Sequence, residues 1–481
     1  MTYFRLASSS ALATVFAAAP ALADLSADDV WSDWQSYMLT YGYNVTGAET
    51  RSGDTLTVSD VAMSFDMSSE DAPVGDLQVQ IPQLTFTEQS DGSVRVGMSE
   101  RLNMIFDADE DAPEPFQVVM HYDQVNFDMV ASGDPEAFQY VYSADSAALT
   151  LAEISSEGVT LPADFARAAM TVQALEGQTD VRIGALRDYD QTFSTGAVDF
   201  DFAFSDPDTA DSAEVTYTAS SLAFAGTSRI PAEADMMDEV IAALKSGFAF
   251  DGGYAATDAA TTIAFDGVDG PGRIAMSSAE NALGVAMSAE GGLSYDISNT
   301  ALSVDMMLPD VPVPIQGTLG GTRFELGLPV VQSDDPQSYN LNLELNDLVV
   351  SDMIWGMLDP GGQLPRDPAT LQIALSGLAK VLIEYMDPAQ QGAMMAGGLP
   401  AELQSAELTN LVLRVAGAAL TGTGAFTFDA SQPGLAGPLG TPEGQIDLRL
   451  EGGSTLMQTL VQMGLLPQEQ AMGAQMMMGL F

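Results

Sequence analysis

Hydrophobic residues in this chain alternate with polar ones, stop, slip by one position and resume, and this recurring slip constrains the fold more than any other feature. Leu56 and Val58 hold one parity, and Val61, Met63 and Phe65 the other, with Ser59-Asp60 between them. Leu77, Val79 and Ile81 give way to Leu84 and Phe86 across Pro82-Gln83, and Phe116, Val118, Met120 and Tyr122 to Val125, Phe127 and Met129 across Asp123-Gln124. Val215, Tyr217 and Ala219 pass to Leu222 and Phe224 across Ser220-Ser221, and Leu341, Leu343 and Leu345 to Leu348 and Val350 across Asn346-Asp347. Leu408 to Leu411, Leu413 and Val415 across Thr409-Asn410 is a shorter copy.

A period of two places successive side chains on opposite faces of a strand, so an uncompensated slip would put half of each apolar set in water. A β-bulge, or a corner where a strand passes into another sheet, restores the facing by kinking the backbone. Ser, Asp, Asn, Gln, Thr and Pro at the breaks tolerate such kinks and can satisfy the backbone groups left unpaired. Repeated kinks add twist. The fold class this predicts is β-rich α+β, with large curved antiparallel sheets carrying repeated β-bulges, barrel- or groove-like, and a few amphipathic helices.

Helical periodicity interrupts this pattern in a few places. Ser26, with Asp29 three residues on, opens a helix whose Val30, Trp31, Trp34, Tyr37, Met38 and Tyr41 form an aromatic stripe ending at Gly42. Such a stripe fits a face packed on a sheet better than a ligand platform. Glu233 to Ser246 reads as a second helix after Pro231, Val381 to Met395 as a weaker one, and Ser454 to Phe481 as two short helices around Pro467. The organisation expected is a leader at 1–23, a β-rich half at 24–230 beginning with the Trp helix, a dividing helix at 231–247, and a second β-rich half at 248–481 ending in short helices.

Met1 to Arg5 carries one positive charge, Leu6 to Ala19 is apolar and Ala-rich, and Pro20-Ala21-Leu22-Ala23 puts small residues at a cleavage site. The expectation is a secretory leader cut after Ala23 and a periplasmic mature chain, with no later apolar run of membrane-spanning length. Lys+Arg is 15 against Asp+Glu 67, a formal charge of -52. That surface repels nucleic acid and anionic headgroups. Against disorder stands a hydrophobic content of 46%, enough to offset the ordering entropy. The absence of cysteine removes disulfides, thiolate metal sites and cysteine nucleophiles.

Catalytic motifs are not visible. His121 is the single histidine and lies on the polar parity of its strand, facing solvent. Asp107, Asp109 and Asp111 are spaced like calcium ligands, but Ala112 and Val118 stand where an EF-hand loop needs its Gly and Glu. A solvated acidic turn is the simpler reading, and no metal, cofactor or catalytic residue is assigned. The stretch that most clearly breaks the β pattern runs from Ser351 to Pro360 and on through Leu364-Pro365-Arg366-Asp367-Pro368 to Leu371. Here Arg366 has Asp352, Asp359 and Asp367 as candidate partners beside Trp355. These five residues form the candidate clasp or interaction loop.

That stretch, the leader followed by Trp31 and Trp34, the segment Leu328-Pro329 to Asp334-Asp335-Pro336, and Gly247-Phe248 to Gly252-Gly253-Tyr254 resemble an exported bacterial family known as domain of unknown function 2125. The likeness spans nearly the whole mature chain and implies no activity, ligand or catalytic residues. A more distant architectural likeness, in the mid-strand breaks, is to AsmA-type periplasmic lipid-handling proteins. The function expected is a non-enzymatic periplasmic protein that binds a lipid or other hydrophobic molecule in an apolar groove. Two alternatives are a structural or interaction protein of the envelope with a closed core, and an outer-membrane β-barrel.

Overall fold

The computed structural model describes residues 25–67, 74–108, 115–156, 158–206, 209, 211–231, 240–390, 392, 400–429 and 441–478. The expected leader, and Asp109 and Asp111 of the acidic loop, lie outside them.

Helix α1 covers Ala27–Thr40. Its start is set by a reciprocal cap: the Ser26 hydroxyl accepts from the Asp29 N–H at 3.2 Å, and the Asp29 carboxylate accepts from the Ser26 N–H at 2.9 Å. The strands follow as β1 (Asn44–Ser52), β2 (Thr55–Asp66), β3 (Gly75–Glu88), β4 (Val94–Met98), β5 (Arg101–Ala108), β6 (Phe116–Val125), β7 (Asp128–Asp134) and β8 (Ala137–Ser156). Next come β9 (Val159–Thr160), β10 (Ala166–Ile183), β11 (Leu186–Thr195), β12 (Val198–Ser205), β13 (Ser212–Ala219) and β14 (Ser221–Pro231). After α2 (Val240–Lys245) lie β15 (Ala249–Asp266), β16 (Gly272–Ser288), β17 (Gly292–Met307), β18 (Ile315–Leu328) and β19 (Gln337–Val350). Helix α3 (Asp352–Leu358), then β20 (Ala369–Val381), β21 (Ala401–Val415), β22 (Ala418–Asp429) and β23 (Thr441–Glu451) complete the sheet, before α4 (Gly453–Gln462) and α5 (Gln468–Met478).

All 23 described strands belong to one sheet, and their pairings are antiparallel. Consecutive short strands such as β4 and β5, or β13 and β14, run end to end and pair with successive halves of one long neighbour. They are single long strands broken near the middle. The result is an up-and-down meander whose described edges are β1 and β23, with no pairing between the two.

The breaks align from strand to strand. Asp60 of β2 lies opposite Pro82 of β3, Asp258 of β15 opposite Ala279 of β16, and Ala301 of β17 opposite Gly320 of β18. Asp60, Asn126, Ala174, Asp258, Ala301 and Asp347 along this line all have positive φ, between 48° and 54°. Asn and Asp visit the left-handed region at low cost, whereas alanine is strained there. On β2 the residues on either side of Asp60 show the outcome, since Leu56, Val58 and Val61 are all buried. The slip in parity is therefore a backbone rotation that keeps both half-strands facing the same way.

This refines the expected bulge. Matching residues are skipped on both partners at most of these breaks, so the register on one side continues unchanged on the other. True register shifts occur at fewer places, among them Thr46/Ala48 and Leu408/Leu411. Five expected breaks fall where the sequence puts them. The one expected at Asp123-Gln124 lies instead at Asn126-Phe127, where Asn126 takes the left-handed turn while Gln124 is buried and Val125 is exposed.

Curvature follows from what α1 touches. The Trp31 indole donates to Glu49 of β1 at 2.7 Å, while Asp33, two residues on, accepts from Tyr140 of β8 at 2.6 Å and pairs with Arg187 of β11. Between β1 and β11 on this side of the breaks lie β2, β3, β4, β7, β8 and β10. On a flat sheet, strand spacing of about 4.8 Å would set β1 and β11 roughly 34 Å apart. One turn of helix reaches both, so the sheet curls around α1. The core inside the curl joins Val30 and Trp31 to Leu56, Val58, Leu84, Phe86, Val94, Val96, Phe138, Val181 and Ile230.

A second curl is drawn by α2. Lys245 at its end pairs with Glu384, beyond β20, at 2.8 Å, although β15 to β20 intervene. Ile241 and Leu244 pack with Val330 and Val331 from the β18–β19 connection. The expected helix from Glu233 is seen as Val240–Lys245, since 232–239 lie outside the described residues. It interrupts the chain but not the sheet, because β14 pairs with β15 across it. The helix expected over Val381 to Met395 does not begin at Val381, where β20 ends; Pro388–Gln390 forms a short 3-10 turn, Gly392 is helical, and 391 and 393–399 lie outside the described residues. The residues after Val381 instead bring Glu384 and Tyr385 onto α2 and Pro329.

Removing the left-handed strain tests the line of breaks. Ala301→Gly and Ala174→Gly each stabilise the chain by about 0.5–1 kcal/mol in urea unfolding, whereas Ala286→Gly, within an ordinary strand, destabilises it by a similar amount. Destabilisation by all three would show that the breaks carry no left-handed constraint.

Candidate functional site

Cross-strand partners share a face, so register assigns every strand residue to one side of the sheet. The face that packs on α1 is apolar along the whole meander. One lane runs Phe224, Tyr254, Leu283, Ile297, Phe324, Leu343, Ile373 and Leu411 across β14 to β21. A second, beyond the breaks, runs Met170, Phe200, Tyr217, Thr261, Met276 and Val304. The opposite face carries ion pairs between Arg95 and Asp128, Arg101 and Asp123, Arg167 and Asp201, and Arg323 and Asp296. His121, opposite Asn103 and Thr150, lies on this polar face as its parity indicates.

Helix α1 packs on the inner face from β1 to β14 on its own side of the breaks, but over β15 to β23 little of the described chain does. Tyr254 is 42% exposed, Ile297 40%, Phe324 36% and Leu448 56%, values typical of surface rather than core. A cavity of about 420 Å³ opens here, lined by Tyr217, Leu222, Tyr254, Leu283 and Ile297 with Asn281 and Asn299. Its floor is the line of breaks, where Val198, Ala219, Ala256 and Ala259 pack together. The polar groups at this floor are neutral: Asn299 donates to the Thr322 hydroxyl at 3.1 Å, and Asn281 to the Ser278 hydroxyl at 3.3 Å. At the end nearer α2 the trough is plugged by α2, Val330-Val331 and Tyr385, with Glu384 as hub. Its carboxylate pairs with Lys245 and accepts from the Gln332 N–H at 3.0 Å.

Two arginines on described strands share the inner face, Arg51 and Arg187, and carboxylates of α1 hold both: Asp28 with Arg51, and Asp33 with Arg187. Burial pushes the Asp33 carboxyl above its ordinary value, against the opposing pull of Tyr140 and Arg187. Burial likewise raises the Tyr140 and Tyr189 hydroxyls, and carries Tyr41 to about 12. Ionised Asp33 therefore weakens folding, and this contribution to stability falls as pH rises from the ordinary aspartate range through the raised value. Sequence reasoning placed no weight on Asp33. Its signal was a carboxylate at helical spacing between Val30 and Tyr37 on an otherwise apolar stripe.

The candidate loop is assembled as a clasp. Arg366 pairs with Asp352 at 2.7 Å and lies over the Trp355 ring, 5.8 Å from its centroid. Asp359 is brought into the loop's own turn rather than to Arg366: its carboxylate accepts from the Leu364 N–H at 2.7 Å, and it is almost fully buried. These backbone N–H groups hold the Asp359 carboxyl below its ordinary value. Asp367 is exposed and forms no ion pair with Arg366, which is paired with Asp352. Gly417, at positive φ in the β21–β22 turn, comes up against Pro365, where an added Cβ would lie 3.0 Å from Cγ. The clasp thus sits where β19 ends and β20 begins. Among the described residues no group of three or more His, Asp or Glu side chains could hold a metal ion.

Neither a family model, nor a curated protein, nor a solved structure matches the chain.

Two measurements test these assignments. Asp33→Ala leaves Arg187 buried without a counter-charge and costs about 3–5 kcal/mol in urea unfolding, against at most about 1 kcal/mol for Arg366→Ala at the exposed clasp pair. Equal effects would contradict the difference in burial. Because the folded-state value of Asp359 is lowered, its stabilisation is present above the ordinary aspartate value and lost as pH falls through the folded one. Trp355 fluorescence is expected to change below about pH 4, and Asp359→Asn to abolish that change.

Proposed function

We propose that the chain is an exported, non-enzymatic protein that holds an uncharged hydrophobic molecule, a lipid or a compound of similar character, in the trough of its curved sheet. The observation that carries this reading is the inner face over β15 to β23, which stays apolar from strand to strand yet remains half exposed. Apolar walls with a few neutral polar groups bind by area and orient by hydrogen bonds. Asn281 and Asn299 supply such groups, so a guest bearing a hydroxyl, carbonyl or amide fits better than one with a charged head.

Charge supports the same restriction. The two inner-face arginines are both neutralised by α1, and the chain's formal charge of -52 opposes an anionic head entering the trough. Export rests on the leader-like residues 1–23, and the family resemblance on the Trp355 to Leu371 motif. The outer-membrane barrel is disfavoured by the polarity of the faces. A barrel in lipid needs its apolar residues outside, whereas here they share the face with α1 and the ion pairs lie opposite. A closed-core structural protein fits the α1 end of the molecule but leaves the exposed lane from Tyr254 to Ile373 without a role.

The test is purification of the mature chain from a periplasmic fraction, solvent extraction and mass spectrometry, with a fluorescent uncharged lipid analogue titrated into the stripped protein. An uncharged lipid is expected to co-purify, and Leu283→Arg or Ile297→Glu to weaken uptake of the analogue by about tenfold or more. Absence of extracted lipid together with no uptake by the wild-type chain would overturn the proposal.

A further inference from the structure

The two described edges of the sheet are treated differently. Exposed backbone on an edge strand is a template for another strand, and proteins blunt it with charges, bulges or covering elements. β1 is blunted in this way. It carries a register shift at Thr46/Ala48, its Arg51 is tied to Asp28 and Glu88, and its Glu49 receives the Trp31 indole. β23 is not. It pairs with β22 in unbroken register from Thr441 to Glu451, and residues 442–451 are all exposed. Beyond Pro442 at its start it contains no proline and no lysine, and Ile446, Leu448 and Leu450 stand on its inner face at 47%, 56% and 44% exposure.

We infer that β23 pairs antiparallel with β23 of a second copy of this chain, extending the sheet across a two-fold axis. The side chains select both the partner and the register. Inner-face residues must meet inner-face residues, which leaves only registers that preserve parity. Centring the pair on Asp447 opposes Asp447 to Asp447 and Glu443 to Glu451. Centring it on Arg449 opposes two arginines and sets Asp447 against Glu451. Centring it on Ile446 faces Leu448 with Gly444 and Leu450 with Pro442.

Centring on Leu448 satisfies every position. Leu448 meets Leu448, Ile446 meets Leu450 twice on the apolar face, and Asp447 meets Arg449 twice on the polar face. The Arg449 side chain is 78% exposed and bonds only to its own-strand neighbour Glu451, at 2.5 Å, so it is open to a cross-strand partner. An isologous pairing of this kind closes after two copies and leaves the blunted β1 edges outermost. It also joins the inner faces of the two copies at Leu448.

Sedimentation velocity across a concentration series tests the pairing, with the full mature chain and with variants confined to exposed β23 side chains. The wild-type chain is expected to show a monomer–dimer equilibrium. Arg449→Glu and Asp447→Arg should each weaken it by about tenfold or more, and the double variant D447R/R449E should restore it, because the swapped charges again face each other. Independently of association strength, Leu448→Cys should form a cross-linked dimer with a short thiol-reactive linker while Ile446→Cys does not. A wild-type chain that stays monomeric at every concentration, single reversals without effect, or a double variant no better than the singles would overturn the inference. None of these outcomes depends on whether the trough holds a guest.

Discussion

A sheet with one apolar and one polar face can be built from long strands only if each strand keeps its facing as it bends, and the left-handed residue near the middle of the strands meets that requirement. A straight strand of the length of β8 or β16 would resist the curl that brings β1 and β11 to the same helix. A bent strand without compensation would turn half its apolar residues outward. Rotation of the backbone at Asp60, Asn126, Asp258 or Asp347 allows bending and constant facing together. Because matching breaks on neighbouring strands skip matching residues, the ladder continues undisturbed on both sides.

The consequences differ along the molecule. Where α1 fills the curl, the inner face is a core, with Trp31, Phe86 and Ile230 among its members and Asp33–Arg187 as a buried polar tie. Desolvation and charge pairing oppose each other at Asp33, so this tie fixes the position of the helix more than it adds stability. Past β15 the same face continues with nothing comparable over it among the described residues. The plug of α2, Val330-Val331 and Tyr385 closes one end. One architectural device thus yields a packed lobe under α1 and, among the described residues, an open trough.

Much of this was legible in the residues. Slips at Ser59-Asp60, Pro82-Gln83, Ser220-Ser221, Asn346-Asp347 and Thr409-Asn410 mark true breaks because large apolar residues flank them and make the parity unmistakable. The break at Asp258 is hidden because the flanking Ala and Thr carry little hydrophobic contrast, and those at Ala174 and Ala301, although Val172 passes to Leu175 and Ile297 to Leu302, are hidden because alanine gives no turn signal. The misplacement near Asp123-Gln124 has a similar origin: Val125 looks like the first residue of a new apolar set but is exposed. At the clasp, Arg366 found Asp352 and Trp355 as charge scarcity suggested, whereas Asp359 was claimed by backbone N–H groups, which a residue pattern does not display. Long-range ties such as Lys245–Glu384 and Tyr140–Asp33 depend on the curl itself, and no local pattern encodes it.

The most direct test of constant facing uses the absence of native cysteine: single nitroxide labels along β17, read by collision with oxygen and with a water-soluble nickel chelate. On one side of Ala301, positions 295 and 297 should favour oxygen and 296 and 298 the chelate. On the other side the parity should exchange, with 304 and 306 favouring oxygen and 303 and 305 the chelate. Parity that runs unbroken through Ala301 would contradict the account of how this sheet keeps its apolar face inward.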